Sequence, residues 1–372
     1  MFLPKFEYTH SIVKDLMSIE KSRAIVELLP IPADVERELR MKARVKMTHY
    51  STRIEGNPLS LEQVSHVVRA KREHSRIRAE EEVRNYWEAL SFLDTARRLK
   101  YPTNQSFIKR LHAIIERRGV GKRTKESDYR GAMPPGILFA VYDAATGKPD
   151  YIPPEWVDVP ELMNELAAWI NLERELPIPI KAAISAYQLL TIHPFEDGNG
   201  RTSRALASYI LSTEGYNLRG FNSMEEYYFS DLSGYYKNLQ MELPVLYYDG
   251  RHDPKTLSPW IEYFVRIMAY AFEQVADSAQ RNSKSLINPL VLTLDPKERL
   301  LLRLLFQNDN IVKPKDISEV FQIPPRTAGN WMKEWHNKGL LKPASGSSRI
   351  TSYQVGEKYS NLTIADLGYL EE

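Results

Sequence analysis

HPFEDGNGRTSR, residues 193–204, brings together one histidine, two carboxylates, an asparagine between two glycines, and two arginines three apart. Gly198 and Gly200 permit positive φ and let a ligand approach the backbone closely. From Thr202 the residues keep helical period, so the stretch predicts a loop that enters a helix. The first N–H groups of a helix lack an intrahelical acceptor and the dipole adds positive potential there, which makes that mouth an anion site. Arg201 and Arg204 share one face of the first turn and can reach a single polyphosphate. Asp197 is a lone carboxylate beside that site, the arrangement in which Mg²⁺ keeps its waters and phosphate oxygens. His193 closes the preceding helix, and an ordinary imidazole pKa near ~6.5 suits a general base. Phe195 is expected to anchor the loop in the core and Glu196 to face solvent.

Around this loop the chain reads as mainly α. Leu162, Met163, Leu166, Trp169 and Ile170 fall on one helical face, as do Ile180, Ile184, Tyr187 and Thr191 before the motif. Leu206, Tyr209 and Ile210 follow it, and Ile261, Phe264, Met268, Phe272 and Val275 form a later stripe. Residues 129–156 break the pattern with two Pro-Pro pairs. There ILFAVY, a turn-like DAATGKPD and YI suggest a hairpin, serving either as a flap for docking a peptide or as a plain connection. Residues 69–84 carry dense charge of both signs, which favours a solvated helix face over a nucleic-acid surface.

The chain has 372 residues, 43% hydrophobic and 26% charged, with a net charge of +2. That balance excludes a whole-surface polyanion trap. The absence of cysteine excludes disulfides, a thiol nucleophile and thiolate metal sites. No apolar run approaches the ~18 residues of a membrane span, and MFLPKFEYTH lacks the blocks of a secretion signal. The expectation is a cytoplasmic protein without a membrane partner.

With these residues in view, HPFEDGNGRTSR resembles the signature of the Fic family, H-x-F-x-[DE]-G-N-G-R-x-x-R, at every fixed position. The resemblance implies a helical core with a β-hairpin flap over about residues 40–250, and transfer of AMP from ATP to a target hydroxyl (Tyr, Thr or Ser), with pyrophosphate released. Carried over, His193 would deprotonate the hydroxyl, and Asp197 would hold Mg²⁺ between the α- and β-phosphates. Gly198, Asn199 and Gly200 would cradle the phosphates, with Thr202 and Ser203 in the same nucleotide-binding run. Arg201 would contact the β-phosphate region and Arg204 the γ-phosphate. The stretch 137–152 would match the family's flap. Tyr235 and Tyr236 resemble a tyrosine pair that borders the nucleotide in some relatives, although ordinary helix packing explains them equally well. Relatives that move phosphate carry lysine where Gly200 stands, so glycine favours adenylylation.

Far upstream, STRIEGN (residues 51–57) reads by itself as ordinary capping chemistry with a glycine stop. Beside the central motif it resembles the family's inhibitory motif, [ST]-x-x-x-E-[GN], carried by Ser51, Glu55 and Gly56. That resemblance implies that Glu55 competes with the γ-phosphate for Arg204. In some relatives the same glutamate instead assists removal of AMP, which stays open here.

The expected division is an N-terminal helical region (1–95), a catalytic core (96–277), a polar linker (278–290) and a C-terminal module (291–372). In that module Ile317, Val320, Phe321, Ile323, Trp331, Trp335 and Leu340 are expected core positions, and SSRITSYQV could form a wing strand, a pattern resembling a winged helix-turn-helix. Seven Lys or Arg against three Asp or Glu lie between Lys313 and Arg349. Arg326, Thr327, Asn330 and Lys333 could face a DNA groove; protein contact, including a homodimer, is the other reading. A nucleotide-sensing DNA-binding regulator is therefore the rival to an enzyme.

Overall fold

A computed structural model of the chain describes residues 2–70, 77–117, 126–142, 147–286, 289–344, 350–364 and 366–367. It is mainly helical and divides into two compact units. One comprises Met1–Ala24 with Arg40–Val275, the other Ile25–Leu39 with Ala276–Glu372. The break expected between residues 95 and 96 is not a unit boundary.

The first unit draws on α1 (His10–Leu28), α2 (Ala33–Ile54), α3 (Leu61–Arg69), α4 (Arg78–Arg98) and α5 (Gln105–Ile115). The hairpin β1 (Val141–Tyr142) and β2 (Pro149–Tyr151) precedes α6 (Val159–Leu172), α7 (Ile178–Ile192) and α8 (Asn199–Thr213), then α9 (Glu225–Ser230), α10 (Leu232–Gln240) and α11 (Ser258–Leu286). At its centre α7 packs against α8. Helix α7 is predominantly apolar and buried at every position from Pro179 to Leu189, Lys181, Ser185 and Gln188 included, as suits a helix inside a core. The Trp260 indole donates to the Ala183 carbonyl at 2.8 Å and ties α11 to it. Helices α4 and α5 pack on α8, where Leu206, Tyr209 and Ile210 are buried.

Two features position the site. A valine cluster, Val45 of α2, Val64 and Val67 of α3 and Val83 of α4, fixes the end of α2 where Ser51 lies. The hairpin pairs Val141 with Tyr151 in antiparallel register. Ile152, just past β2, makes a parallel bridge with Leu246, while β1 meets no further strand among the described residues. Residues 143–146 of the expected turn lie outside the described residues, and only 141–142 of the expected strand pair. Of the charged stretch 69–84, residues 71–76 also lie outside them; from Arg78 it is helical, with Arg78–Glu82 and Arg84–Glu80 pairs one turn apart.

The second unit holds α12 (Pro289–Leu292), α13 (Pro296–Gln307), α14 (Pro314–Val320), α15 (Pro325–Asn337) and an antiparallel pair, β3 (Leu341–Pro343) with β4 (Tyr353–Val355). Its core contains Leu301, Leu305, Ile317, Met332, Trp335 and Leu340, with Phe321, Ile323 and Trp331 packed on its edge. Val320, expected in that core, is exposed on the last turn of α14. The segment expected as a linker is helical through Leu286, because SAQRNSKS contains neither glycine nor proline and the first stop is Pro289. No described helix is long and apolar enough to cross a membrane.

Candidate active site

His193 caps α7 in the left-handed region, φ 51° and ψ 58°, a conformation that costs a non-glycine residue about 1 kcal/mol or more. Its carbonyl accepts from Arg130 Nε at 2.8 Å. The ring is half-buried, and its Nδ1 lies 3.3 Å from the Leu190 carbonyl. A carbonyl only accepts, so Nδ1 carries the proton and Nε2 keeps its lone pair. Burial pushes the imidazole pKa down to about 4; the Leu190 hydrogen bond opposes this and Arg130 adds to it. Unlike an ordinary imidazole, half protonated near ~6.5, the ring stays neutral well below pH 7.

The loop that follows is pinned from below. Phe195 is buried and its ring stacks on His112 of α5, centroids 3.7 Å apart. His112 Nε2 donates to the Asp197 carbonyl at 2.8 Å while Ser127 supplies a hydroxyl to Nδ1. Asn199 closes the loop on itself: its amide donates to the Phe195 carbonyl at 2.8 Å and its oxygen accepts from the Phe195 N–H at 3.0 Å. The Asn199 side chain therefore builds the cradle and does not line it. Gly198 opens α8 at φ 74°, and the first intrahelical bond runs from Thr202 N to its carbonyl. That leaves the Asn199, Gly200 and Arg201 N–H groups without acceptors inside the helix.

Both arginines of the first turn are buried beside carboxylates. Arg201, 5% exposed, has Nη2 2.7 Å from Glu116 and 3.5 Å from Asp197. Arg204 Nη2 donates to Glu55 Oε1 at 2.8 Å and to the Ser51 carbonyl at 2.8 Å, and Nε donates to the Ser51 hydroxyl at 3.1 Å. Burial opposes the charge on Arg204, but the Glu55 carboxylate together with Tyr235 and Tyr86 outweighs it and holds the guanidinium above its ordinary pKa. A Cβ at Gly200 would overlap the Glu55 carboxylate, and one at Gly198 that of Glu116. Ser51 and Glu55, 149 or more residues upstream of Arg204, are thus brought to the motif, while Gly56 sits just past the end of α2.

The structure separates other expected site residues. Thr202 and Ser203 are wholly buried, and the Ser203 hydroxyl donates to the Ala186 carbonyl of α7; at 100° per residue they turn away from the face that carries Arg201 and Arg204, so their side chains do not line the mouth. Tyr235 is buried behind Arg204, whereas Tyr236 is exposed. Behind Arg204 a cavity of about 20 Å³ is lined by Ser203, Arg204, Glu225, Tyr228 and Tyr235. Burial pushes the Glu225 carboxyl up to about 7. Sequence reasoning missed Glu225, Glu116, His112 and Arg130, which lie far from the motif in sequence. Asp197 is 54% exposed. Among the described residues no group of three or more potential ligands could hold a metal alone, and a single open carboxylate beside a phosphate site is the donor set Mg²⁺ takes.

The model of the Fic/DOC family matches residues 102–211, which contain α5, the hairpin, α7 and the loop into α8. Residues 102–211 form a Fic domain. Within and around this Fic domain the chain is 44% identical over 68 residues to the protein adenylyltransferase Fic of Aedes aegypti, 18% of this chain and 14% of that protein. It is 34% identical over 114 residues to protein adenylyltransferase fic-1 of Caenorhabditis elegans, 30% of this chain and 22% of that protein. The matches thus span under a quarter of those relatives' length. A Fic family protein from Desulfovibrio desulfuricans G20 superposes with a TM-score of 0.60 at 20% identity, over 96% of this chain and 99% of its own. A Fic domain containing signaling protein from Bacteroides thetaiotaomicron gives 0.59 at 22% identity, over 73% and 97%. These two establish the fold around the Fic domain.

Proposed function

We propose that the chain is a protein adenylyltransferase that transfers AMP from ATP to a hydroxyl side chain of a target protein and holds itself back through Glu55. The observation that carries this reading is the mouth of α8: free N–H groups of its first turn, Arg201 and Arg204 on the same turn, and His193 at the other end of the loop with an open Nε2. The matched relatives named protein adenylyltransferase support it. Phosphoryl-type transfer asks mainly for positioning and charge neutralisation, which this mouth supplies. His193 Nε2 takes the proton of the target hydroxyl, whose oxygen bonds the α-phosphorus as pyrophosphate leaves. Asp197 would hold Mg²⁺, which supplies charge neutralisation on the phosphates. The open edge of β1 suits an extended target segment.

Glu55 stands where a terminal phosphate would meet Arg204, so the brake is a competition for one guanidinium. Incubation with ATP labelled at the α-phosphorus and Mg²⁺ tests the transfer. Covalent label on a protein, lost in His193→Ala, supports it, and labelling that persists in His193→Ala sinks it.

In the second unit, we read α13–α15 and the β3–β4 pair as a winged helix-turn-helix. Helix α15 exposes Arg326, Asn330 and Lys333, with Thr327 half-buried, which favours contact with DNA phosphates and base edges. A DNA mobility shift that weakens steeply with salt and disappears in Arg326→Ala with Lys333→Ala supports this; a shift unchanged by both substitutions rejects it.

A further inference from the structure

Arg130 is a buried cation with no part in the nucleotide site, 6% exposed. Its Nε donates to the His193 carbonyl at 2.8 Å, its Nη2 donates to the Pro154 carbonyl, and its backbone N–H donates to the Pro194 carbonyl at 2.9 Å. Its guanidinium lies over the Phe139 ring, 4.6 Å from the centroid, and that ring is 6.1 Å from the His193 imidazole. Phe139 enters the hairpin ahead of β1, and Pro154 leaves it after β2. One side chain therefore holds both arms of the hairpin and the backbone of the candidate base.

The local chemistry explains why a guanidinium is used. The last carbonyls of α7 lack intrahelical donors, and His193 turns left-handed, which directs its carbonyl away from the helix. A buried carbonyl left without a donor costs about 1–3 kcal/mol. Arg presents a rigid planar fork that can bond two separate carbonyls and stack on a ring at once, whereas a lysine ammonium offers no plane. The left-handed turn at His193 and the seat of the hairpin are thus fixed by the same group.

We propose that Arg130 is a positioning residue that couples the hairpin to His193, so that a target segment docked on β1 is held in register with the Nε2 lone pair. This rests on the transferase reading above and adds to it: the hairpin does not act only as a docking edge, but shares one rigid support with the base. A displacement of the hairpin reaches the imidazole through Arg130, and misplacement of a reacting group by ~1 Å lowers a rate about 100-fold.

The test uses the full chain with Arg130→Met and Arg130→Lys. The expected result is an ATP affinity within about twofold of wild type by calorimetry, with transfer turnover lower by roughly 100-fold. Nitrogen NMR of the His193 ring should show a single Nδ1–H tautomer in wild type and a mixture in both variants. Turnover per folded molecule equal to wild type overturns the proposal. So does an ATP affinity that falls in step with turnover, which would mark general collapse of the site, or a His193 ring signal that does not change. Should Arg130→Met not fold, Phe139→Ala reports on the same coupling: it should lower turnover in wild type and add nothing on top of Arg130→Lys, and fully additive effects reject the link. If wild type transfers no AMP, the transferase reading fails by itself, while the ring signal still decides whether Arg130 governs His193.

Discussion

Arg204 and Glu55 are 149 residues apart in sequence and 2.8 Å apart in space. The guanidinium is 4% exposed and the carboxylate 34%. A buried arginine needs a counter-charge, and among the groups described here Glu55 supplies it, with the two Ser51 oxygens adding neutral acceptors. A polyphosphate that binds Arg204 through its last phosphate takes over that duty. The proposed inhibition and folding would therefore draw on one ion pair.

Glu55→Gly is accordingly expected to raise transfer by on the order of 100-fold while making the ligand-free protein less stable. Breaking a fully buried pair costs about 3–5 kcal/mol; with Glu55 a third exposed and Ser51 still in place, about 1–3 kcal/mol is expected. Saturating ATP should restore more of the melting temperature in the variant than it adds to wild type. Thermal melts with and without ATP, beside labelling rates, check this; equal ATP shifts in the two proteins would contradict it.

The acid limb of activity should lie low. The proposed base would work as neutral imidazole, and burial holds the His193 pKa to about 4. The ring therefore stays neutral as pH falls past ~6.5, where an ordinary histidine is half protonated, and loses its function only as pH drops through about 4. Transfer measured as kcat/KM from pH 4 to pH 8 should show no half-point near 6.5 that moves with substitutions at His193's neighbours.

Glu225 makes stability fall as pH rises. Its folded carboxyl is raised to about 7 from an unfolded value of 4.5, so the folded form keeps a proton that the unfolded form has already lost. That stability is fully present below about pH 4.5 and is lost as pH rises through 7; the shift corresponds to roughly 3 kcal/mol. Glu225→Gln removes the ionisation with little change of shape. Denaturant unfolding at pH 4.5 and pH 8 should show the variant gaining on wild type at the higher pH, and parallel curves would exclude the assignment.

Asn199→Ala should be among the most damaging single changes in the loop. It strips both partners from the Phe195 backbone, and each buried group left unsatisfied costs about 1–3 kcal/mol. A loss of about 2–4 kcal/mol in denaturant unfolding is expected, with weaker ATP binding because the first turn of α8 no longer holds its shape.

What the sequence revealed was local. A glycine pair before a helical period announces a loop entering a helix, and arginines three apart announce a shared face, because turn chemistry and helix period act over a few residues. The same period implies that if residues 201 and 204 face the mouth, residues 202 and 203 turn away from it, as Ser203 does toward α7. Tyr235 and Tyr236 divide for the same reason, one inward and one outward. Asn199 stands in the expected loop, but the structural task of its side chain is not legible in the sequence, since its bond to Phe195 depends on the left-handed turn at His193, which no residue type dictates. Glu116 and Arg130 were invisible because their partners at the motif lie 60 or more residues away and neither sits in a motif. The polar run after residue 278 misled because polarity suggests a linker, whereas helix continuation needs only the absence of a stop.

The paired bonds between Asn199 and the Phe195 backbone bear on the heat of nucleotide binding. Since the loop adopts its shape through contacts within the chain, an arriving polyphosphate meets donors that already converge and need not be recruited from a fluctuating segment. Little conformational entropy remains to be surrendered on association, so calorimetry should find the unfavourable entropy of ordering small and the salt sensitivity of the affinity large.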